Sequence, residues 1–86
     1  LKLSPENGRI EVEFEVDQNR NGREWRVAIR QNGTREWRGL RTTAAPSGSF
    51  EVRKVLSNKA GADRIVGKAT NLATGEVCRG VAYARF

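Results

Sequence analysis

Glu24-Trp25-Arg26-Val27-Ala28-Ile29-Arg30-Gln31-Asn32-Gly33-Thr34-Arg35-Glu36-Trp37-Arg38 reads as two strands joined by a two-residue turn. Between Glu24 and Gln31 the apolar side chains Trp25, Val27 and Ile29 fall at every second position. That is the period of a strand with one buried face, whereas a helix would scatter them around its circumference. Asn32-Gly33 is the strongest short hairpin signal, because both central residues of a type I′ turn need φ > 0. An uninterrupted ladder about this turn opposes Arg30 to Arg35, Ala28 to Trp37 and Trp25 to Leu40, and directly opposed residues share a face. Trp25 is therefore predicted inside. Trp37 is predicted outside, among Arg26, Arg30 and Arg35, where an indole can sit beneath guanidinium groups. A one-residue slip would exchange the two tryptophans.

The same period runs through the rest of the chain. Ile10, Val12, Phe14 and Val16 alternate with Arg9, Glu11, Glu13 and Glu15, predicting a half-buried strand over Gly8 to Val16. Leu1 to Leu3 reads as a short edge strand ended by Pro5, which lacks a ladder donor. Asp17 to Gly22 is a polar loop, and Ala45-Pro46-Ser47-Gly48 a turn cluster. Ser49 to Leu56 forms the next strand, with Phe50, Val52 and Leu56 inward and Glu51 and Arg53 outward. Lys54 falls on the apolar parity, so either its stem lies along the core rim or a bulge re-aims Val55. After a loop over Asn58 to Asp63, a strand over Arg64 to Asn71 turns Ile65, Gly67 and Ala69 to one side. Ala73-Thr74-Gly75 is a tight turn. The last strand, Glu76 to Phe86, is read with the small residues Cys78, Gly80, Ala82 and Ala84 inward.

Six to seven short strands with no helical window predict an all-β, two-sheet antiparallel β-sandwich, and 86 residues suit one domain over 1–86. The chain begins at Leu1 and contains no Met, so it is read as a segment excised from a longer precursor or multidomain protein, although a processed mature protein would look the same. No apolar run approaches the roughly 18 residues of a membrane-spanning helix, so no span is expected. Histidine is absent and Cys78 is the single cysteine. These totals exclude an internal disulfide, a Ser-His or Cys-His couple and a thiolate or imidazole metal cage. Eight of the ten acids are glutamates, most alternating with apolar residues on strand faces, so neither an enzyme nor a cofactor is expected.

The order Gly48-Ser49-Phe50-Glu51-Val52, Ala60-Gly61-Ala62-Asp63-Arg64-Ile65 and Thr74-Gly75-Glu76-Val77-Cys78 resembles the immunoglobulin-like or fibronectin-III-like sandwiches used as modules in bacterial secreted and surface proteins. The chain lacks the inter-sheet cysteine pair and the corner tyrosine of antibody-type domains. The resemblance implies a noncatalytic extracellular module, monomeric as an isolated domain, that spaces other domains or binds a surface.

Binding is expected at the hairpin. From Arg20 to Arg41 there are seven arginines against two glutamates, so most of the formal net charge of +6 is concentrated there. In such a sandwich the hairpin would lie beside the last two strands, bringing Trp37, Arg26, Arg30, Arg35, Lys68, Arg79 and Tyr83 onto one surface suited to a protein, glycan or other anionic partner. The opposite sheet would carry Glu11, Glu13, Glu15 and Glu51. Nucleic acid is the rival partner, because basic charge and an aromatic on a sheet are also its footprint. Asp17-Gln18-Asn19-Arg20-Asn21-Gly22 spells the opening of a calcium loop, but Ala28 stands where the bidentate glutamate belongs and Arg20 and Arg23 repel a cation, so no metal is expected. Asn32-Gly33-Thr34 spells a glycosylation acceptor but is read as the hairpin turn, Cys78 as a small buried hydrophobe, and Asp63 as ordering its own turn.

Overall fold

The computed structural model describes residues 1–46, 48–59 and 61–85. Ser47 of the turn cluster, Ala60 of the loop before Asp63 and Phe86 at the end of the last expected strand lie outside the described residues. Among the described residues seven strands follow one another: β1 Lys2–Glu6, β2 Arg9–Asp17, β3 Glu24–Gln31, β4 Thr34–Thr42, β5 Ser49–Ser57, β6 Asp63–Asn71 and β7 Val77–Ala84. They form two antiparallel sheets, β1-β2-β5 and β4-β3-β6-β7, facing each other as a β-sandwich. The links β2–β3, β4–β5 and β5–β6 cross between sheets, and the other three are hairpins. β1 lies beside β7 and β4 beside β5, closing the two flanks.

Alternation builds the core. Ile10, Val12, Phe14 and Val16 of β2 meet Trp25, Val27 and Ile29 of β3, and Phe50, Val52, Leu56, Ile65 and Ala69 complete the layer. Trp25 is fully buried, and its Nε1 donates to Gln18 Oε1 at 3.3 Å, so the indole brings no unpaired donor inside. Small residues set the sheet separation. A Cβ added at Gly67 would stand 3.0 Å from the Phe14 ring, and Cys78, Gly80, Ala82 and Ala84 of β7 face inward as their size predicts.

Two strands differ from expectation. β1 runs through Pro5 to Glu6, because an edge strand can point its missing donor away from the only ladder it has. Its turn to β2 is a second Asn-Gly hairpin, with φ of 46° at Asn7 and 76° at Gly8. The larger correction concerns β4. Asn32 and Gly33 do form the turn, with φ of 51° and 86°, and Arg30 does oppose Arg35. Glu36 then has no partner, and the ladder resumes with Ile29 opposite Trp37, Ala28 opposite Arg38 and Trp25 opposite Arg41. This β-bulge reverses the facing of every later residue of β4.

Candidate functional site

Trp37 is the residue the bulge moves. It faces inward, half-buried against the core, on the same side as Trp25 rather than among Arg26, Arg30 and Arg35. The slip does not exchange the tryptophans, because Trp25 is placed by the alternation of its own strand. The Trp37 ring lies over Gly39, where a Cβ would stand 2.6 Å from the indole, and fills the flank between β4 and β5. Its cations are the Arg41 guanidinium at 4.9 Å and the Lys54 ammonium at 4.8 Å from the ring centroid. The β2–β5 ladder pairs Val12 with Lys54 without interruption, so the Lys54 stem follows the core rim and no bulge is needed there.

The arginines behave as a group. Opposed residues across the four-stranded sheet place Arg35, Arg30, Val66 and Val81 in one row, and Arg38, Ala28, Lys68 and Arg79 in the next. Leu40, Arg26, Thr70 and Val77 make a third row, and Arg64 stands opposite Tyr83. The expected association of Lys68, Arg79 and Tyr83 with Arg26, Arg30 and Arg35 is therefore present. Arg38 and Arg64 join them, Arg38 because of the bulge and Arg64 by simple alternation along β6.

Seven cations, Arg26, Arg30, Arg35, Arg38, Arg64, Lys68 and Arg79, line a groove of about 450 Å³ floored by Ala28, Val66 and Thr70. Among the described residues no carboxylate lines it. Among the described residues none of the seven is in an ion pair, and the salt bridges between them are those of Arg53 with Glu6 and Glu11. Arg30 Nη1 donates to the Gly33 carbonyl at 3.4 Å. Val77, Val81 and Tyr83, which is 69% exposed, form a partly apolar ledge along the β7 side.

The outer face of the three-stranded sheet is acidic, with Glu6, Glu11, Glu13, Glu15 and Glu51 among its residues. Arg53 Nη2 donates to Glu11 Oε2 at 2.6 Å, and this bond is the main reason the Glu11 carboxyl is held down at about 2. Glu6 and Glu13 shift the other way. Hydrogen bonding with Glu11 raises both, followed by desolvation and the Glu11 charge.

The remaining candidates have structural duties. Asp17 Oδ1 accepts the Asn19 amide at 3.3 Å, and Thr43 Oγ1 donates to the Arg20 carbonyl at 2.5 Å, so the Asp17–Gly22 loop is tied to its neighbours. Among the described residues no three carboxylate, thiolate or imidazole groups gather as a metal cluster. Asn32 Nδ2 donates to Asp63 Oδ1 at 2.8 Å, and Asn32 Oδ1 accepts the Arg64 amide at 2.8 Å. Asp63 is fully buried and also accepts from Gln31 Nε2 and the Lys59 amide, so it orders its own turn and the hairpin turn together. Cys78 faces the core half-buried, and burial, then the Glu76 charge, pushes its thiol up.

No protein-family model, curated protein or solved structure matches the chain.

Proposed function

We propose that this chain is a noncatalytic module of a secreted or cell-surface protein, and that the outer face of its four-stranded sheet binds an acidic polysaccharide. The observation that carries the reading is the groove that seven cations line with no carboxylate among the described residues. Arg30 opposes Arg35 and Lys68 opposes Arg79 directly across their ladders. Like charges in such positions destabilise a sheet, and a local rule broken without internal compensation is characteristic of a working surface. The arrangement of three and four strands supports the resemblance to immunoglobulin-like and fibronectin-III-like modules, and the secreted or surface setting rests on that resemblance.

The inward turn of Trp37 bears on the partner. Single-stranded nucleic acid is bound on platforms where successive bases stack on several aromatics, and Tyr83 is the one aromatic on this face among the described residues. A sugar polymer asks less of the surface. One ring stacks on the Tyr83 ledge while guanidinium forks take its anionic groups.

The test is an amide-shift titration at about 150 mM NaCl, where screening limits purely long-range attraction, with a heparin-derived oligosaccharide and with single-stranded DNA of equal charge. Shifts should cluster on β3, β4, β6 and β7, and the pair Arg30→Gln with Arg35→Gln should weaken the oligosaccharide at least about tenfold, the scale of one lost charge-assisted contact. Shifts confined to the Glu11 to Glu15 side would remove the proposal. Tighter binding of the DNA would transfer the face to nucleic acid.

A further inference from the structure

Ala28 stands between four cationic residues of the sheet face. Its same-face neighbours along β3 are Arg26 and Arg30, and across the two ladders it is opposed by Arg38 of β4 and Lys68 of β6. All five residues line the groove. Same-face positions along a strand are about 6.8 Å apart and adjacent strands about 4.8 Å, so four long side chains rise from four sides of a single methyl group. A larger residue at this position would fill the space over which their heads can converge.

We infer that the Ala28 floor is a subsite for a tetrahedral oxyanion, the sulfate or phosphate ester of the acidic polysaccharide; this rests on the polysaccharide reading above. A carboxylate is planar, and one guanidinium fork meets both of its oxygens from a single direction. A sulfate or phosphate ester keeps three free oxygens that point apart. Arg26 and Arg30 approach from the two ends of β3, and Arg38 and Lys68 from its two sides, so donors arriving from several directions each find an oxygen. Ala28 is thereby a specificity-determining residue through its lack of bulk, while the four cations make the contacts.

The experiment titrates the ¹⁵N-labelled chain with a sulfated oligosaccharide, a phosphorylated oligosaccharide and an oligogalacturonate of matched charge. The wild type should bind at least one of the two esters at least about tenfold more tightly than the carboxylate polymer, the size of one or two extra charge-assisted hydrogen bonds, and comparing the esters identifies which is the natural group. Ala28→Leu should erase that preference, bringing the ester affinity to within about twofold of the oligogalacturonate affinity of the same variant, because the four cations remain but their heads can no longer converge on one group. Ala28→Ser should retain the preference, and an unchanged amide spectrum away from β3 confirms that each variant folds. Retention of the preference by Ala28→Leu, or equal binding of all three polymers by the wild type, overturns the subsite while the polysaccharide reading survives. Absence of binding to any of them overturns both.

Discussion

Trp37 separates what stabilises this sandwich from what its basic face can bind. The indole fills the β4–β5 flank and covers Gly39, and Arg41 and Lys54 hold their charges against it. Replacing it with alanine removes a large, half-buried side chain and exposes the aliphatic stems that lean on it. The expected loss is about 2 kcal/mol, below the roughly 3–5 kcal/mol of a fully buried aromatic, and urea unfolding followed by circular dichroism measures it. The same Trp37→Ala variant should keep its affinity for a sulfated oligosaccharide within about twofold, because the side chain lies on the sheet face opposite the groove and a remote truncation of this kind leaves distant contacts nearly additive. Normal stability with lost binding would return Trp37 to the contact surface.

At the scale of the element, the single unpaired residue Glu36 decides the facing of the rest of β4. Deleting it should be tolerated. Arg35 would still oppose Arg30 and Trp37 would still oppose Ile29, now in a regular ladder, so the bulge disappears and the register does not. Stability should change by less than about 1 kcal/mol, with tryptophan emission unshifted and a cross-strand contact between the Ile29 and Trp37 amide protons, the pair that a regular ladder hydrogen-bonds, in the nuclear Overhauser spectrum. A contact from Trp37 to Ala28 instead would show that the turn does not hold the register of β4 once the extra residue is gone.

The reason for the bulge was open to reading in the sequence. An uninterrupted ladder about Asn32-Gly33 would push Glu36 inward against Ile29 and Arg38 inward against Val27, burying charges that lack partners. One skipped residue places Trp37 and Gly39 there instead. The alternation of β2, β3, β5, β6 and β7 was legible because each has apolar residues at alternate positions strong enough to set its own face. Arg64 was legible for the same reason, as an outward residue of β6, and Asn7-Gly8 carried the same hairpin signal as Asn32-Gly33. The buried carboxylate of Asp63 was harder to foresee. Its donors Gln31 and Asn32 lie about thirty residues away in sequence and meet it only when β6 pairs with β3.

At the scale of the whole molecule, a basic sheet and an acidic sheet stand back to back across a body whose shortest extent is 16 Å. That thickness exceeds the screening length of about 8 Å at physiological salt and falls short of the roughly 30 Å at 10 mM. The acidic face should therefore be electrically invisible to a polyanion at the groove in the first condition and felt by it in the second. Converting Glu11, Glu13 and Glu15 together to glutamine removes three negative charges from a chain of formal net charge +6 without touching the groove. The affinity for a sulfated oligosaccharide should stay within about twofold at 150 mM NaCl and tighten at least about threefold at 10 mM, mainly through faster association. Calorimetry at the two salt concentrations and stopped-flow binding at the lower one make the comparison. A large gain at 150 mM would mean that the ligand reaches around to the acidic sheet, and that the binding surface is not the single face on which the cations converge.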